Sequence, residues 1–311
     1  MAATTTAAGA TPRRRRRYSV LTRRDKIVLG LAIGIPATIH VALVWVPTIS
    51  SIVLSFTAWN GIGGIQNIKW VGLQNYINIF TTYPPFWPAL THNVVWLLTF
   101  LFIATPIGIL FAVLLDKNIR GTRFYQSAIY LPVVLSLAIV GFIWQLQYAP
   151  DQGFINNVLG RAGAGQQIAW LGDSTINLAA VLVAASWRHI GYIMVLYLAG
   201  LKSVDPSLRE AAAIDGASER QAFFRVVLPV LRPINIVILV ITIIESLRAF
   251  DIVYVINKGT NGLELLSVLV TQNIVGESSR IGFGSAIAVV LLVISVGPII
   301  VFLTRTFESP D

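Results

Sequence analysis

SVDPSLREAAAIDGASERQAFFRVVLPVLRP, residues 203–233, is a polar, charged, Gly- and Pro-punctuated stretch between two long apolar segments. Asp205 ahead of Pro206 predicts an N-cap with proline at the first helical position, where its missing N–H leaves nothing unsatisfied. A short helix then runs to about Ile214, and Asp215-Gly216 supplies a left-handed stop. Ser218 with Gln221 three residues on is a capping-box start for a second short helix. Pro229 is expected to end that helix through its ring and absent N–H. Two small helices with a sharp turn between them suit a groove on another protein.

Outward from this stretch the chain is apolar. Its 311 residues are 55% hydrophobic and only 12% charged, too apolar for a soluble domain with a polar surface. Six runs of about 20 apolar residues have the length of membrane spans: Ile27–Phe56, Asn93–Leu115, Ser127–Tyr148, Ile176–Leu201, Ile234–Ile256 and Gly284–Thr304. Two-residue alternation is absent, which argues against a membrane β-barrel. The expected fold is an all-α membrane protein with six transmembrane helices in a single domain, residues 27–304. A basic tail (1–26) precedes it and a short tail (305–311) follows. Pro36 and Pro47 in the first span require neighbouring groups to satisfy the freed carbonyls. The segment 57–92, with Trp59, Trp70, Trp87 and Pro84-Pro85, reads as an external, interface-anchored loop.

Charge sets the expected orientation. Seventeen of the 23 basic residues, among them Arg13–Arg17, Lys117, Arg120, Arg209 and Arg305, fall on one side of the six runs. The positive-inside rule makes that side cytoplasmic, and with it both termini and the 203–233 loop. The net charge of +9 therefore needs no nucleic acid. The run Arg13–Arg17 admits a nucleic-acid patch or a twin-arginine signal, but a topology anchor beside an anionic leaflet accounts for it. The first span is far longer than a signal-peptide core, and residues 1–12 read as a disordered tail. Without cysteine, disulfides and thiol chemistry are excluded.

Nothing in the chain promises covalent catalysis. There is no phosphate-binding G-x-x-x-x-G-K-[ST], and His40, His92 and His189 are scattered without metal-ligand spacing. Polar residues inside the spans are the other candidates for function, since each costs about 2.5–3.5 kcal/mol at a span centre. Glu245, Arg248 and Asp251 follow at i, i+3 and i+6 in the fifth span, a spacing that lets Arg248 pair with either acid. They line a solute path or form a structural ion-pair network. Trp187, Arg188, His189 and Tyr192 cluster in the fourth span, and Trp144, Gln145, Gln147 and Tyr148 at the end of the third. Aromatic faces and polar edges of this kind suit a sugar ring; ordinary packing, with Arg188 paired to Glu245, is the alternative. Leu208, Ala211 and Ala212 in the loop's first helix, and Phe223, Phe224, Val227 and Leu228 in its second, read as apolar faces for a partner or for lipid. Glu210, Asp215 and Glu219 would be repelled by anionic lipid, which favours a protein.

The loop resembles the coupling loop of ABC importer permeases. Glu210-Ala211-Ala212, three residues, Gly216, nine residues, then Val226-x-Leu228-Pro229 follows that family's pattern, with Val226 where isoleucine is usual. WVGLQNYINIF (70–80), the stretches 128–160 and 186–204, AFDIVYVINKGTNG (249–262) and GFGSAIAVVLLVI (282–294) are similar to the maltose-type carbohydrate permeases, a likeness over roughly 30–305. Thr260-Asn261-Gly262 departs from the usual Gly-Gly-Pro. The resemblance implies the type I importer permease fold in a bacterial cell membrane. It implies as partners a second similar permease, two ATPase subunits, an extracellular solute-binding protein and membrane lipid. No cofactor would be bound by this chain, with ATP and Mg held at the ATPases. The first loop helix, with Glu210, would dock in an ATPase cleft. An ABC permease for a non-sugar solute, or an ion-driven secondary transporter using Glu245 and Asp251, are the competing functions.

Overall fold

A computed structural model of the chain describes residues 22–117, 119–163, 165–276 and 279–307. The run Arg13–Arg17, the tail at 1–12, the Arg305 side chain and residues 308–311 lie outside that description. The chain forms two compact units, residues 1–50 and 51–311. Helix α1 (Arg23–Leu54), most of which lies in the first, starts from a capping box: Thr22 accepts from the Asp25 N–H, and the Asp25 carboxylate accepts from the Thr22 N–H. None of its residues Arg23–His40 is buried. An all-round apolar, unburied helix is what lipid solvates.

The second unit is helical throughout: α2 (Gln74–Thr81), α3 (Phe86–Asp116), α4 (Thr122–Val134), α5 (Leu137–Gln147), α6 (Phe154–Val158), α7 (Asn177–Ser203), α8 (Pro206–Ile214), α9 (Glu219–Val230), α10 (Arg232–Leu247), α11 (Asp251–Asn257), α12 (Leu266–Val275) and α13 (Ile281–Phe307). The strand-like content among the described residues is an isolated bridge between Thr57 and Trp70. Helices α1, α3, α7 and α13 are each long and apolar enough to cross a membrane, and counting each bent pair as one span gives six.

Two spans differ from the continuous helices expected. The third bends by 102° between α4 and α5, at the extended residues Leu135 and Ser136. Pro132 sits just before the break, and the Ser136 hydroxyl accepts from the Ile139 N–H to restart the helix. The fifth is interrupted at Arg248–Phe250, so α10 and α11 are separate helices and the spacing from Glu245 to Asp251 is not helical. Helix α12, in a stretch expected to be loop, is too short to span but packs Leu266 and Leu269 into a core with Ile79, Phe86 and Ile287.

Prolines explain the remaining irregularity. Three π-helical turns, Val41–Trp45, Phe100–Ala104 and Phe223–Val227, each end one residue before an X-Pro step. In each, the residue ahead of the proline donates to the carbonyl five back: Val46 to Val41, Thr105 to Phe100, Leu228 to Phe223. The widened turn moves the carbonyl that the proline ring would strike and that its missing N–H would leave unpaired. Pro229 therefore does not end its helix, which continues to Val230 and stops at Leu231.

Helix α7 is the hub of the second unit. A Cβ on Gly108 of α3 would lie 2.8 Å from the Ile193 Cβ, and one on Gly191 would lie 2.3 Å from the Ile129 carbonyl oxygen of α4. Glycine thus lets three helices approach at backbone distance, as small residues do between membrane helices. One core joins Trp96, Phe100, Val181, Ala185, Ile252 and Val253, with Leu135 and Phe250, the residues of the two breaks, packed against it.

Candidate functional site

The 203–233 loop is built as its residues dictate. The Asp205 carboxylate accepts from the Ser207 N–H at 2.9 Å and caps α8, a bond that holds its carboxyl below the usual range. Helix α8 ends in a left-handed turn: Gly216 has φ +77° and Ala217 N–H reaches back to the Ala212 carbonyl at 2.9 Å. Ser218 and Gln221 form the second capping box, opening α9. Glu210, Ala211, Asp215 and Gly216 are exposed on one turn, with Ile214 86% exposed beside them.

The apolar faces point elsewhere than expected. Ala212 is buried, so it does not share an outward face with Ala211. Val227 is buried, and Phe223 and Leu228 pack with it against Ile193, Tyr197 and Leu201 of α7. Of that stripe Phe224 faces out, with the Arg220 guanidinium 5.9 Å above its ring. Pro229 is exposed on the helix. The loop's stripe thus fastens α9 to its own span, and Glu210, Ala211, Asp215 and Gly216 are left exposed.

The second cluster lies where the broken spans meet α7. Trp144 of α5 meets Trp187 of α7 edge-on at 5.9 Å and Tyr148 at 5.2 Å, and Tyr148 meets Trp170 at 5.7 Å. Gln145 donates to the Ile256 carbonyl of α11 at 3.3 Å. Arg188 follows Trp187, and its Nη1 lies 3.6 Å from Glu245 Oε2 of α10. That separation is too long for a hydrogen bond, so the pair attracts while both partners keep hydrogen-bonding capacity. Arg188 Nε and Trp144 Nε1 are buried donors without a hydrogen-bond partner among the described residues. Unspent donors beside aromatic faces, inside a membrane domain, suit an oxygen-rich solute.

Three expected members stand apart. Arg248 and Asp251 are exposed across the interruption and make no ion pair among the described residues. Asp251 lies in the first turn of α11, where a carboxylate complements the helix dipole. Tyr192 packs toward Ile193 and Leu196, in a different core from Trp144. His189 is buried, stacked on Phe100 at 4.1 Å and within 3.5 Å of the Thr105 and Thr242 hydroxyls, a satisfied core histidine. Among the described residues, no three His, Cys, Asp or Glu side chains converge as metal ligands would. The turn at 258–262 is pinned by Asn177 Nδ2 on the Asn261 carbonyl, 2.5 Å, and Asn261 Nδ2 on the Gly172 carbonyl, 2.6 Å.

Sequence reading overlooked Asp116 and Lys117, the residues to which the loop is tied: Asp116 pairs with Lys202 and Arg209, and Lys117 with Glu219. Lys117 was visible as part of the basic asymmetry, and nothing in its sequence marks a contact with Glu219 102 residues away.

Residues 43–309 match the model of the family described as binding-protein-dependent transport system inner membrane component. The chain is 30% identical to the probable ABC transporter permease protein YurN of Bacillus subtilis, over 88% of this chain and 94% of that protein. It is 32% identical to the arabinooligosaccharides transport system permease protein AraP of Halalkalibacterium halodurans, covering 87% and 85%. It is 30% identical to the xylose/arabinose import permease protein XacH of Haloferax volcanii, covering 86% and 84%. In fold it is similar to a chain of a bacterial ABC transporter that imports the acidic polysaccharide alginate, at a TM-score of 0.75 and 23% identity, over 92% of this chain and 97% of that one.

Proposed function

Because this chain belongs to the family of binding-protein-dependent transport system inner membrane components, we propose that it forms half of the pathway by which an ATP-driven importer carries a sugar or oligosaccharide across the cell membrane. The permease domain is residues 27–304, and the 203–233 side, with both termini, faces the cytoplasm. There, Glu210, Ala211, Asp215 and Gly216 dock on an ATPase subunit. The assembly holds a second permease, two ATPases carrying ATP and Mg, and an external solute-binding protein; this chain binds no cofactor of its own. Relatives named for arabinooligosaccharide and xylose/arabinose import support a carbohydrate cargo. So does a solved alginate importer bound to a periplasmic protein carrying an alginate pentasaccharide.

A single observation carries the reading. Between two capped helices and a left-handed glycine, Glu210, Ala211, Asp215 and Gly216 stand exposed, while Phe223, Val227 and Leu228 of α9 are spent on the chain's own core. A rigid, unpartnered element of that kind serves a separate motor. Closing of the ATPases on ATP would then tilt the spans between two global states, coupling distinct sites. The solute would pass by Trp144, Trp187, Arg188 and Glu245, whose rings stack on apolar sugar faces and whose polar groups take its hydroxyls.

The test is uptake by the assembled importer in proteoliposomes, using as solute whatever ligand the cognate external binding protein retains. Uptake that survives a collapsed ion gradient and stops without ATP is expected. Uptake by this chain alone, driven by an ion gradient, would replace the reading with a secondary carrier. A binding protein that retains a polyamine or phosphodiester would leave the importer standing and remove the sugar.

A further inference from the structure

Helix α3 ends on Asp116, whose carboxylate grips two other elements at once. Its Oδ1 lies 2.9 Å from Lys202 Nζ at the end of α7, and its Oδ2 lies 2.7 Å from Arg209 Nη1 in α8. Lys202 also donates to the Asp116 carbonyl at 3.4 Å. The next residue, Lys117, reaches Glu219 in the first turn of α9 at 2.5 Å. Adjacent residues at the end of one span therefore hold the end of a second span and both loop helices.

Chain connectivity requires none of these bonds. Helix α8 follows α7 through Val204 and Asp205, and leads to α9 through residues 215–218. The core around Val227 fastens α9 to the spans, whereas the side-chain ion pair between α8 and α3 is Arg209 with Asp116. The burial is also uneven. The Asp116 side chain is 9% exposed, against 52% for Lys202 and 41% for Arg209. A carboxylate so far out of water is tolerated through its two cations, whereas each cation has water to fall back on. The Lys117–Glu219 pair, at 51% and 83%, is screened and weak by comparison.

We propose that Asp116 is a positioning residue for transport: it locks the 203–233 loop to α3, so that force applied at Glu210 and Asp215 moves the second span together with the fourth. This rests on the loop being the ATPase-docking element. Without the lock, α8 would lose its side-chain tie to α3, and motion would reach the membrane through the backbone of α7 and α10 and the core around Val227.

The chain has no cysteine, so in an importer whose partner subunits have been made cysteine-free a labelled pair can be placed in it uniquely. Labels at Leu110→Cys on α3 and Ser207→Cys on α8, in the full importer in proteoliposomes, report the distance across the lock. With Asp116 present the distance distribution should be narrow and the same without nucleotide and with ATP plus vanadate. In Asp116→Asn it should broaden. Stimulation of ATP hydrolysis by the loaded external binding protein should fall about fivefold or more, the lower end of ordinary allosteric coupling, while unstimulated hydrolysis persists. Asp116→Glu, which keeps the charge, should retain more of the stimulation. A distribution that Asp116→Asn leaves narrow, or a distance that shifts with nucleotide while Asp116 is present, overturns the proposal. So does a fall in stimulated and unstimulated hydrolysis by the same factor. If Asp116→Asn does not assemble, Arg209→Gln removes one arm from a half-exposed site and is read by the same criteria. Loss of the ATPase from the Asp116-containing complex would instead remove the docking reading.

Discussion

Gly216 offers the sharpest quantitative test of the loop. Its φ of +77° lies in the left-handed region, and a Cβ built on it meets nothing within 4 Å. The penalty of any side chain there is therefore backbone strain alone. For an ordinary L-residue that is about 1–2 kcal/mol, less for asparagine, whose side chain tolerates the conformation, and more for a β-branched residue. The strain acts on the bond from Ala217 N–H to the Ala212 carbonyl, which closes α8. One to two kcal/mol lowers the population of the docking-ready turn by about 5- to 30-fold. Gly216→Asn should thus keep most uptake, Gly216→Ala lose several-fold, and Gly216→Val lose the most, at undiminished membrane insertion because the span cores are untouched. ATP-driven uptake per inserted importer is the assay. Gly216→Val at full rate would remove the turn from the mechanism. Gly216→Asn as damaging as valine would show that space, not φ, matters.

Glu245→Gln should lower thermal stability in detergent by leaving Arg188 uncompensated in the membrane, where an arginine costs about 2.5–3.5 kcal/mol at a span centre. The double change with Arg188→Gln should recover stability, and strictly additive losses would deny the pair. Gly191→Ala sets a Cβ 2.3 Å from the Ile129 carbonyl and should destabilise by about 1–3 kcal/mol; an unchanged melting temperature would contradict the α4–α7 contact. Trp144→Phe keeps the ring near Trp187 and removes an N–H that has no partner. It should leave stability alone and raise the apparent KM for solute, whereas lost stability with unchanged KM would assign that N–H to the fold.

Local chemistry in the chain was open to reading from sequence, because it acts within four residues. Asp205, Ser218, Gln221 and Gly216 take the cap and turn positions their side chains favour. The positions of the spans follow from apolar length alone. What could not be read depends on distance or on compensation. The Asp116 lock joins residues 86 and 93 positions apart. The burial of Ala212 and Val227 depends on which way α7 presents its surface. Proline was misjudged for a definable reason: Pro229 breaks an α-helix, yet a π turn ahead of it supplies the wider register in which it fits. Apolar composition likewise continued the third and fifth spans through Leu135 and Arg248–Phe250: the first break changes no hydropathy, and the second adds a single arginine within an otherwise apolar run.

That reprieve of Pro229 has a mechanical consequence. Because α9 runs on to Val230 and α10 starts at Arg232, the loop's second helix and the fifth span meet at a single residue, Leu231, with a 76° bend. Leu231 is itself buried against Ile193 and Ile238, and its N–H is bonded to the Val227 carbonyl at 3.0 Å. A joint of one residue, packed and hydrogen-bonded, transmits rotation rather than absorbing it. A helix stopped at Pro229 with a slack linker after it would do the reverse. The loop is therefore fixed at three places: to α10 through Leu231, to α7 and α3 through the core around Val227, and to α3 again through Asp116. In the proposed docking, its exposed residues Glu210, Ala211, Asp215 and Gly216 are the part a partner would drive. Under the proposed docking, stiff attachments of this kind would turn a small displacement of the loop into a displacement of whole spans.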